Sequence, residues 1–233
     1  AAAWGVLRAA TQEAPATPWP ALVVHGASAS SRAPPRGGDA YGAGAAARAR
    51  WSPRLLPATA GAAGVAHFLA SSRRPVAITG GAGGLGCLFG GAAAVAAAPV
   101  LAFDTAAHSV PPALARSVSG VVVHWADVGT RAGAASLAAA LAATPSRSGA
   151  LLHAAGELHD ATLPRQTPAG VRACLAGKAV GAAALARATA TTPLSSTTLF
   201  SSTSSLFAPA GQSNYAAGNA VLVAAATAAA GAG

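Results

Sequence analysis

The stretch PVAITGGAGGLG, residues 75–86, decides the fold class of this 233-residue chain. A short apolar run enters a cluster of glycines, and an alanine-rich, helix-compatible segment follows at 85–97. A backbone without Cβ atoms can pass close to a pyrophosphate, and the N-terminus of the following helix attracts the anion. Gly is common in this chain, so a glycine turn without a ligand would look the same. The position between a strand and a helix favours a dinucleotide site.

Four more short apolar runs follow, and helix-compatible segments separate most of them. The later strands are placed at 99–103, 120–125, 150–156 and 197–202, and the later helices at 132–143, 168–189 and 212–229. This alternation predicts an α/β fold, a Rossmann-like doubly wound parallel sheet with helices on both faces. Pro111 and Pro112 leave room for only a short or broken helix between 106 and 119.

The N-terminal third has a different character. Residues 26–49 are rich in Gly, Ser, Pro and Ala and predict an irregular loop. A short strand is expected at 20–26, and an edge strand broken by Pro53 at 49–58. We therefore divide the chain into a small, degenerate structural subdomain, 1–72, and a dinucleotide-binding domain, 73–233.

Composition argues against several function classes. The net charge is +9, but the arginines are scattered without a basic stripe, so nucleic-acid binding is not expected. Cys87 and Cys174 form no CxxC pair, and the six histidines show no ligand spacing, so no metal site is expected. There is no run of about eighteen strongly apolar residues. We therefore expect no membrane-spanning helix and a cytoplasmic protein.

Acidic residues cluster where ligands of such sheets bind, beyond the carboxyl ends of the strands. Four of the six acids follow predicted strands: Asp104, Asp127, Glu157 and Asp160. Acids also favour loops in general, but four on one rim favour a site. Asp127, followed by Val128, could accept a hydrogen bond from the adenine amino group. The small residues 154–156 would let the backbone pass under the nicotinamide ribose.

The rarest residues of the chain gather near its end. Asn214 and Asn219 are the only asparagines, Tyr215 is one of two tyrosines, and Lys178 is the only lysine. Tyr215 and Asn219 are four residues apart, so they share one face of a helix. Ser202 is expected at the end of the fifth strand.

The segments TGGAGGLG, HAAG, GK, FSS and GQSNYAAGN resemble the ketoreductase domain of modular polyketide synthases, a branch of the short-chain dehydrogenase/reductase superfamily. In that family the lysine comes from an earlier helix and asparagine follows the tyrosine, as Lys178 and Asn219 do here. The resemblance covers the chain from about residue 73 to the end. More weakly, AAAWGVLRAATQEAP and YGAGAAARARWSPRLLP resemble the family's structural subdomain.

The resemblance implies a role for each matching residue. Tyr215 donates a proton to the developing alkoxide, Lys178 stabilises the phenolate, and Ser202 hydrogen-bonds the substrate carbonyl. Asn219 holds the lysine or a relay water, and Asp160 and Phe207 contact the substrate. The cofactor-binding residues are Thr79, Gly80, Gly81, Gly84, Leu85, Gly86, Asp104, Asp127, Val128, Ala154, Ala155 and Gly156.

The implied activity is reduction of a β-ketoacyl thioester, carried on the phosphopantetheine arm of an acyl carrier protein within a polyketide or fatty acid synthase. The other domains of the synthase would be further partners. The alternatives are a catalytically degenerate scaffold domain and a stand-alone short-chain dehydrogenase. The resemblance implies NADPH, with His108 or Arg116 supplying positive charge, whereas Asp104 after the second strand favours NADH because a carboxylate binds a free ribose hydroxyl.

The sequence departs from the family pattern in two places, and each departure leads to an expectation about this chain. The family's Leu-Asp-Asp triplet reads Leu158-His159-Asp160 here, and Phe207 stands where the opposite stereochemical class carries tryptophan. This is similar to the class that gives the D-configured β-hydroxy product. The sequence given stops at Gly233, before the family's further strands and lid helix, so we expect a C-terminally truncated sheet with its fifth strand at an edge.

Overall fold

The computed structural model describes Val6, Ala9, Glu13 and residues 40–41, 50–51, 74–95, 98–105, 121–144 and 149–231. The strand expected at 20–26 and the segment 106–119 lie outside the described residues, and the division of the chain at residue 72 remains a prediction. Strand β1 (Ala40–Tyr41) pairs antiparallel with β2 (Arg50–Trp51). The expectation of an irregular loop over 26–49 is therefore wrong at Ala40 and Tyr41, because β2 supplies them with a pairing partner.

Five parallel strands form the main sheet. They are β3 (Val76–Thr79), β4 (Val100–Asp104), β5 (Val121–Trp125), β6 (Gly149–His153) and β7 (Leu194–Leu199), in the order β5-β4-β3-β6-β7. Strand β3 lies between β4 and β6, so the strand order reverses there and a crevice opens beyond its carboxyl end. The Rossmann-like prediction is confirmed, and β7 is an edge strand of the described sheet, as expected.

Helices cover both faces of the sheet. Within the described residues they are α1 (Gly84–Val95), α2 (Arg131–Ala142), α3 (Pro168–Leu175), α4 (Gly181–Ala188), α5 (Ser204–Phe207) and α6 (Ser213–Gly231). The side chains of Thr130 and Thr167 accept the N–H of Gly133 and of Gly170 and so begin α2 and α3. Pro168 at the first turn of α3 needs no N–H partner.

Two apolar cores follow from the alternation of side chains along β3. Val76 and Ile78 face one core, which Ala93 of α1 completes, and Ala77 faces the other, which Leu137 of α2 and Leu185 of α4 complete. Successive strand residues point to opposite faces of the sheet. A strand that is buried on both sides therefore has no exposed face for polar side chains. This packing fixes the carboxyl ends of the strands, where the candidate site lies.

Three predicted elements need correction. Strand β6, expected over 150–156, ends at His153. Strand β7 begins at Leu194 and ends at Leu199, so Ser202 lies in the following loop rather than at the strand end. Its exposed and half-buried residues alternate, as on an edge strand, and the Ser- and Thr-rich sequence conceals that pattern. The helix expected over 168–189 is interrupted by a π turn, Ala176–Val180, that joins α3 to α4.

The segment Pro168–Ala188 bears on the expectation that no helix spans a membrane. Within the described residues this 21-residue helical stretch, with its π turn, is the one that is long and apolar enough by composition to cross a membrane. Its 18-residue window has a mean hydropathy of 1.3. It carries Lys178 and packs against α2 and α6. Core helices meet the same criterion, so this is weak evidence for a membrane span.

Candidate active site

The glycine turn lies beyond the carboxyl end of β3, at the crevice. Gly80 has φ +67°, and a Cβ there would lie 2.9 Å from the backbone of Ala155. A Cβ on Gly86 would lie 2.2 Å from the carbonyl oxygen of Gly80, so α1 packs directly on the turn. At Gly84, in contrast, a Cβ would meet nothing within 4 Å. The first turn of α1 is therefore open to a ligand, and this fits a nicotinamide dinucleotide bound through its diphosphate.

A buried relay joins the glycine turn to the lysine segment. His153 Nε2 lies 3.1 Å from the carbonyl oxygen of Lys178, which can only accept, so Nε2 carries the proton. Nδ1 then accepts from Thr79 Oγ1 at 2.7 Å, and Thr79 Oγ1 accepts the N–H of Ala155 at 3.2 Å. Burial lowers the pKa of His153 to about 4, which is consistent with the neutral tautomer.

Asp104 ends β4 beside the glycine turn. Its Oδ2 accepts the N–H of Ala82 at 2.8 Å, and its Oδ1 accepts the N–H of Thr105 at 2.8 Å. The side chain is buried. The carboxylate thus fixes the turn itself, and its contact with a ribose hydroxyl stays a prediction.

Asp127 and Val128 follow β5. The exposed Asp127 accepts the N–H of Gly129 through Oδ1 at 2.8 Å, and its carbonyl oxygen accepts from Thr130, so the residue shapes the start of α2. The side chain of Val128 is buried in the core that α2 covers. Only the backbone of Val128 is therefore suited to contact an adenine.

Lys178 sits in the π turn and is 4% exposed. Its Nζ donates to the carbonyl oxygen of Phe200 at 3.1 Å and lies 5.4 Å from the ring centroid of Tyr215. A Cβ on Gly156 would lie 2.8 Å from Lys178 Cε, so the backbone after β6 packs against the lysine stem. Burial lowers the pKa of Lys178. The structure thus brings Lys178, Gly156 and Tyr215 together.

Asn219 is fully buried one turn below Tyr215 on α6. Its Nδ2 donates to the carbonyl oxygen of Tyr215 at 2.9 Å and to Ser204 Oγ at 3.2 Å. Its Oδ1 has no hydrogen-bond partner among the described residues. A buried acceptor of this kind is costly unless a water or a donor reaches it. The side chain is suited to a relay water, although its amide also fixes α5 against α6.

Ser202 precedes the short helix α5, which packs on α6. Its Oγ accepts the N–H of Ser204 at 3.2 Å, and its carbonyl oxygen accepts from Ser205. These bonds hold the loop between β7 and α5 in one conformation and leave the hydroxyl proton of Ser202 able to donate.

Two loops meet beside the start of α6, which carries Tyr215, and form the rim of the candidate site: the β6–α3 loop (154–167) and the α5–α6 loop (208–212). Asp160 Oδ2 accepts from Gln212 Nε2 at 2.9 Å, and the N–H of Ala161 donates to the carbonyl oxygen of Gly211 at 2.9 Å. Asn214 Nδ2 donates to the carbonyl oxygen of His159 at 2.7 Å. Phe207, at the end of α5, is 49% exposed. The expected substrate residue Asp160 therefore lies in the first of these loops, and Phe207 directly precedes the second.

Sequence reasoning missed three contributors. His153 positions the backbone of Lys178, the carbonyl oxygen of Phe200 holds its Nζ, and Ser204 anchors Asn219. Only His153 carried a signal, as the polar side chain at the end of the apolar strand β6. Within the described ranges, no group of three or more His, Cys, Asp or Glu side chains could hold a metal ion.

The chain matches a known protein family and is similar to a known protein. The model of the KR domain family matches residues 75–233. The chain is also similar to polyketide synthase GfsA of Streptomyces halstedii, with 40% identity over 88 residues, 37% of this chain and 1% of that protein.

Solved structures show the same relationship. The ketoreductase from the first module of phoslactomycin biosynthesis in Streptomyces sp. HK803 is 32% identical, with a TM-score of 0.57 over 66% of this chain and 37% of that one. A short-chain dehydrogenase/reductase of Brucella melitensis is 16% identical, with a TM-score of 0.62 over 66% of this chain and 64% of that one, and shares the fold. The chain thus spans about a third of the ketoreductase structure and a very small part of the synthase.

Proposed function

The chain belongs to the KR domain family, the ketoreductases of modular polyketide synthases within the short-chain dehydrogenase/reductase superfamily, and from this premise we propose that it reduces a β-ketoacyl thioester to the β-hydroxyacyl thioester. The observation that carries the proposal is the buried ammonium of Lys178, 5.4 Å from the ring centroid of Tyr215. A cation in that position stabilises a phenolate more than a neutral phenol. We therefore assign Lys178 and Tyr215 to the same proton-transfer step.

Tyr215 acts as the general acid. A nicotinamide dinucleotide supplies the hydride when bound, and the residues of this chain manage the proton and the charge on the substrate oxygen. The half-buried phenol of Tyr215 gives its proton to the developing alkoxide, and Ser202 donates a hydrogen bond to the same oxygen. The bond from Lys178 Nζ to Phe200 keeps the cation in place while this charge develops.

Lys178 and Asn219 restore the phenol. Because burial lowers the pKa of Lys178, its ammonium gives up a proton more readily than an exposed lysine would. The buried Oδ1 of Asn219 can hold a water in that relay. His153 and Thr79 are positioning residues, since they act through the backbone of Lys178 and of Ala155.

For the cofactor we propose NADPH. The carboxylate of Asp104 argued for NADH in the sequence, but its two oxygens accept the N–H groups of Ala82 and Thr105. These two hydrogen bonds weaken the argument that Asp104 contacts the ribose of NADH. Competition between NADPH and NADH for the protein, followed by quenching of nicotinamide fluorescence, tests the preference, and tighter binding of NADH contradicts it.

We also propose the cellular setting. The acyl chain is carried by an acyl carrier protein, the other partners are domains of the same synthase, and the protein is cytoplasmic. The rim residues Asp160 and Phe207 are exposed, as residues that meet a substrate delivered from outside must be. By the resemblance of 158–160, the product is the D-configured β-hydroxy thioester.

The test replaces Tyr215 with Phe. This change removes only the phenolic oxygen, so we expect kcat for a small soluble β-ketoacyl thioester to fall by a factor of about 10² to 10⁴. The Kd for the dinucleotide should stay within twofold, since the ring and its packing remain. Tight dinucleotide binding by the parent would argue against a scaffold role. A parent and variant with equal turnover would remove Tyr215 from the mechanism.

A further inference from the structure

The N-terminal segment reaches the rim of the site. Val6, Ala9 and Glu13 are helical, and Ala9 and Glu13 contact that rim. Ala9 is fully buried and packs against Ala208 and Ala216. Ala208 follows α5, and Ala216 follows the candidate acid Tyr215. The contact therefore lies at the first residue of the α5–α6 loop and at the residue that follows Tyr215.

Glu13 binds both rim loops at once. Its Oε1 accepts the N–H of Gly211 at 2.8 Å, and its Oε2 accepts the N–H of Leu163. Leu163 belongs to the β6–α3 loop that carries Asp160, and Gly211 belongs to the loop between α5 and Tyr215. Hydrogen bonds to a carboxylate are stronger than those to a neutral acceptor. One side chain, 150 residues from Leu163 and 198 residues from Gly211 in sequence, thus bridges the two loops.

We propose that Glu13 is a positioning residue that fixes the spacing of the two rim loops and thereby sets how the acyl substrate is presented to Tyr215. The proposal rests on the proposed function, because the substrate residues Asp160 and Phe207 are those of the ketoreduction. Direct bonds between the loops exist, from Ala161 to Gly211 and from Gln212 to Asp160. The bonds from Glu13 differ from these because they come from outside the dinucleotide-binding part of the chain.

The glutamate is suited to this task by its geometry. Gly211 has φ +82° and Ala208 has φ +45°, so the loop between α5 and α6 turns sharply at both residues. Glycine adopts this backbone without strain, but the left-handed region is costly for alanine, so the contact of Ala9 with Ala208 helps to hold the loop. A carboxylate has two equivalent oxygens and can hold two N–H groups, whereas an amide can accept through only one.

The experiment compares Glu13→Ala, Glu13→Gln and Glu157→Gln in the full chain. Glu157 is the matched charge control, because it is exposed and pairs with His159 without bonding either amide. Hydrogen exchange at the amides of Leu163 and Gly211 should be about tenfold faster in Glu13→Ala for each lost bond. Glu13→Gln should release one amide more than the other, and Glu157→Gln should leave both at the parent rate.

Catalysis provides the second measurement. For a soluble β-ketoacyl thioester, Glu13→Ala should raise KM about tenfold and lower the ratio of the two β-hydroxy enantiomers, while the dinucleotide Kd stays within twofold. Glu13→Gln, which keeps the size of the side chain, should give an intermediate result if Glu13→Ala folds poorly. Unchanged amide exchange overturns the proposal, and so does faster exchange with parental KM and enantiomer ratio. A parent that binds dinucleotide but reduces no thioester refutes the proposed function, and with it the positioning role, while the exchange data still report whether Glu13 holds the loops.

Discussion

Replacing Gly86 with Ala tests the close approach of α1 to the glycine turn. The new Cβ would lie 2.2 Å from the carbonyl oxygen of Gly80 and 2.6 Å from the Cα of Gly81. Both neighbours are backbone atoms, so the helix or the turn must shift. Overpacking of this kind costs about 3 kcal/mol, against about 1 kcal/mol gained in helix propensity. We expect a net loss of about 2 kcal/mol in the free energy of unfolding.

Gly91 and Gly84 in the same helix are matched controls. A Cβ on either would meet nothing within 4 Å, so Gly91→Ala should stabilise the protein by up to about 1 kcal/mol. Gly84→Ala should behave similarly in unfolding but weaken dinucleotide binding, because the added methyl group lies at the open first turn of α1. Urea denaturation followed by circular dichroism measures the change in stability, and fluorescence titration measures the change in dinucleotide affinity.

The free energies of unfolding of Gly86→Ala and Gly91→Ala should differ by about 3 kcal/mol. If the free energy of unfolding falls by about 2 kcal/mol per molar urea, the two urea midpoints should differ by about 1.5 M. Equal midpoints for these two variants would refute the packing of α1 on the turn. A Gly84→Ala variant with parental dinucleotide affinity would refute the ligand site at the start of α1.

Two further predictions concern the residues around Lys178. Because burial lowers the pKa of His153 to about 4 from 6.5, the unfolded chain binds the extra proton, and stability should fall by up to about 3 kcal/mol as the pH drops from about 6.5 to about 4. The free energy of unfolding, measured across that pH range, should fall in the parent and not in His153→Gln. A parent whose free energy of unfolding does not fall would contradict the neutral, buried imidazole. Gly156→Ala would place a Cβ 2.8 Å from Lys178 Cε, a flexible side chain. We expect the free energy of unfolding to stay within about 1 kcal/mol of the parent value. The kcat should be roughly tenfold lower, because the ammonium moves relative to Tyr215. An unchanged kcat would count against the placement of Lys178.

The sequence by itself determined the sheet and the glycine turn. Local signals suffice there, because a strand buried on both faces is apolar throughout and a turn that meets a helix end requires glycine. The same reasoning located α1, α2 and α6 to within two residues. It misplaced the end of β7, since an edge strand rich in Ser and Thr lacks an apolar run. It also missed the π turn, because no local pattern in the sequence specifies which carbonyl accepts each N–H.

The tertiary structure decided what the side chains of the site contact. Lys178, Ser202 and Tyr215 were candidates by type and by family resemblance, but the contacts of Lys178 with Phe200 and with the Tyr215 ring depend on how α3, α4 and α6 pack. The two amide bonds of Asp104 and the bridge made by Glu13 were likewise invisible, since their partners are backbone N–H groups that every residue except proline carries. Which of those amides meets a given carboxylate depends on the folded path of the chain, and no residue type records that path.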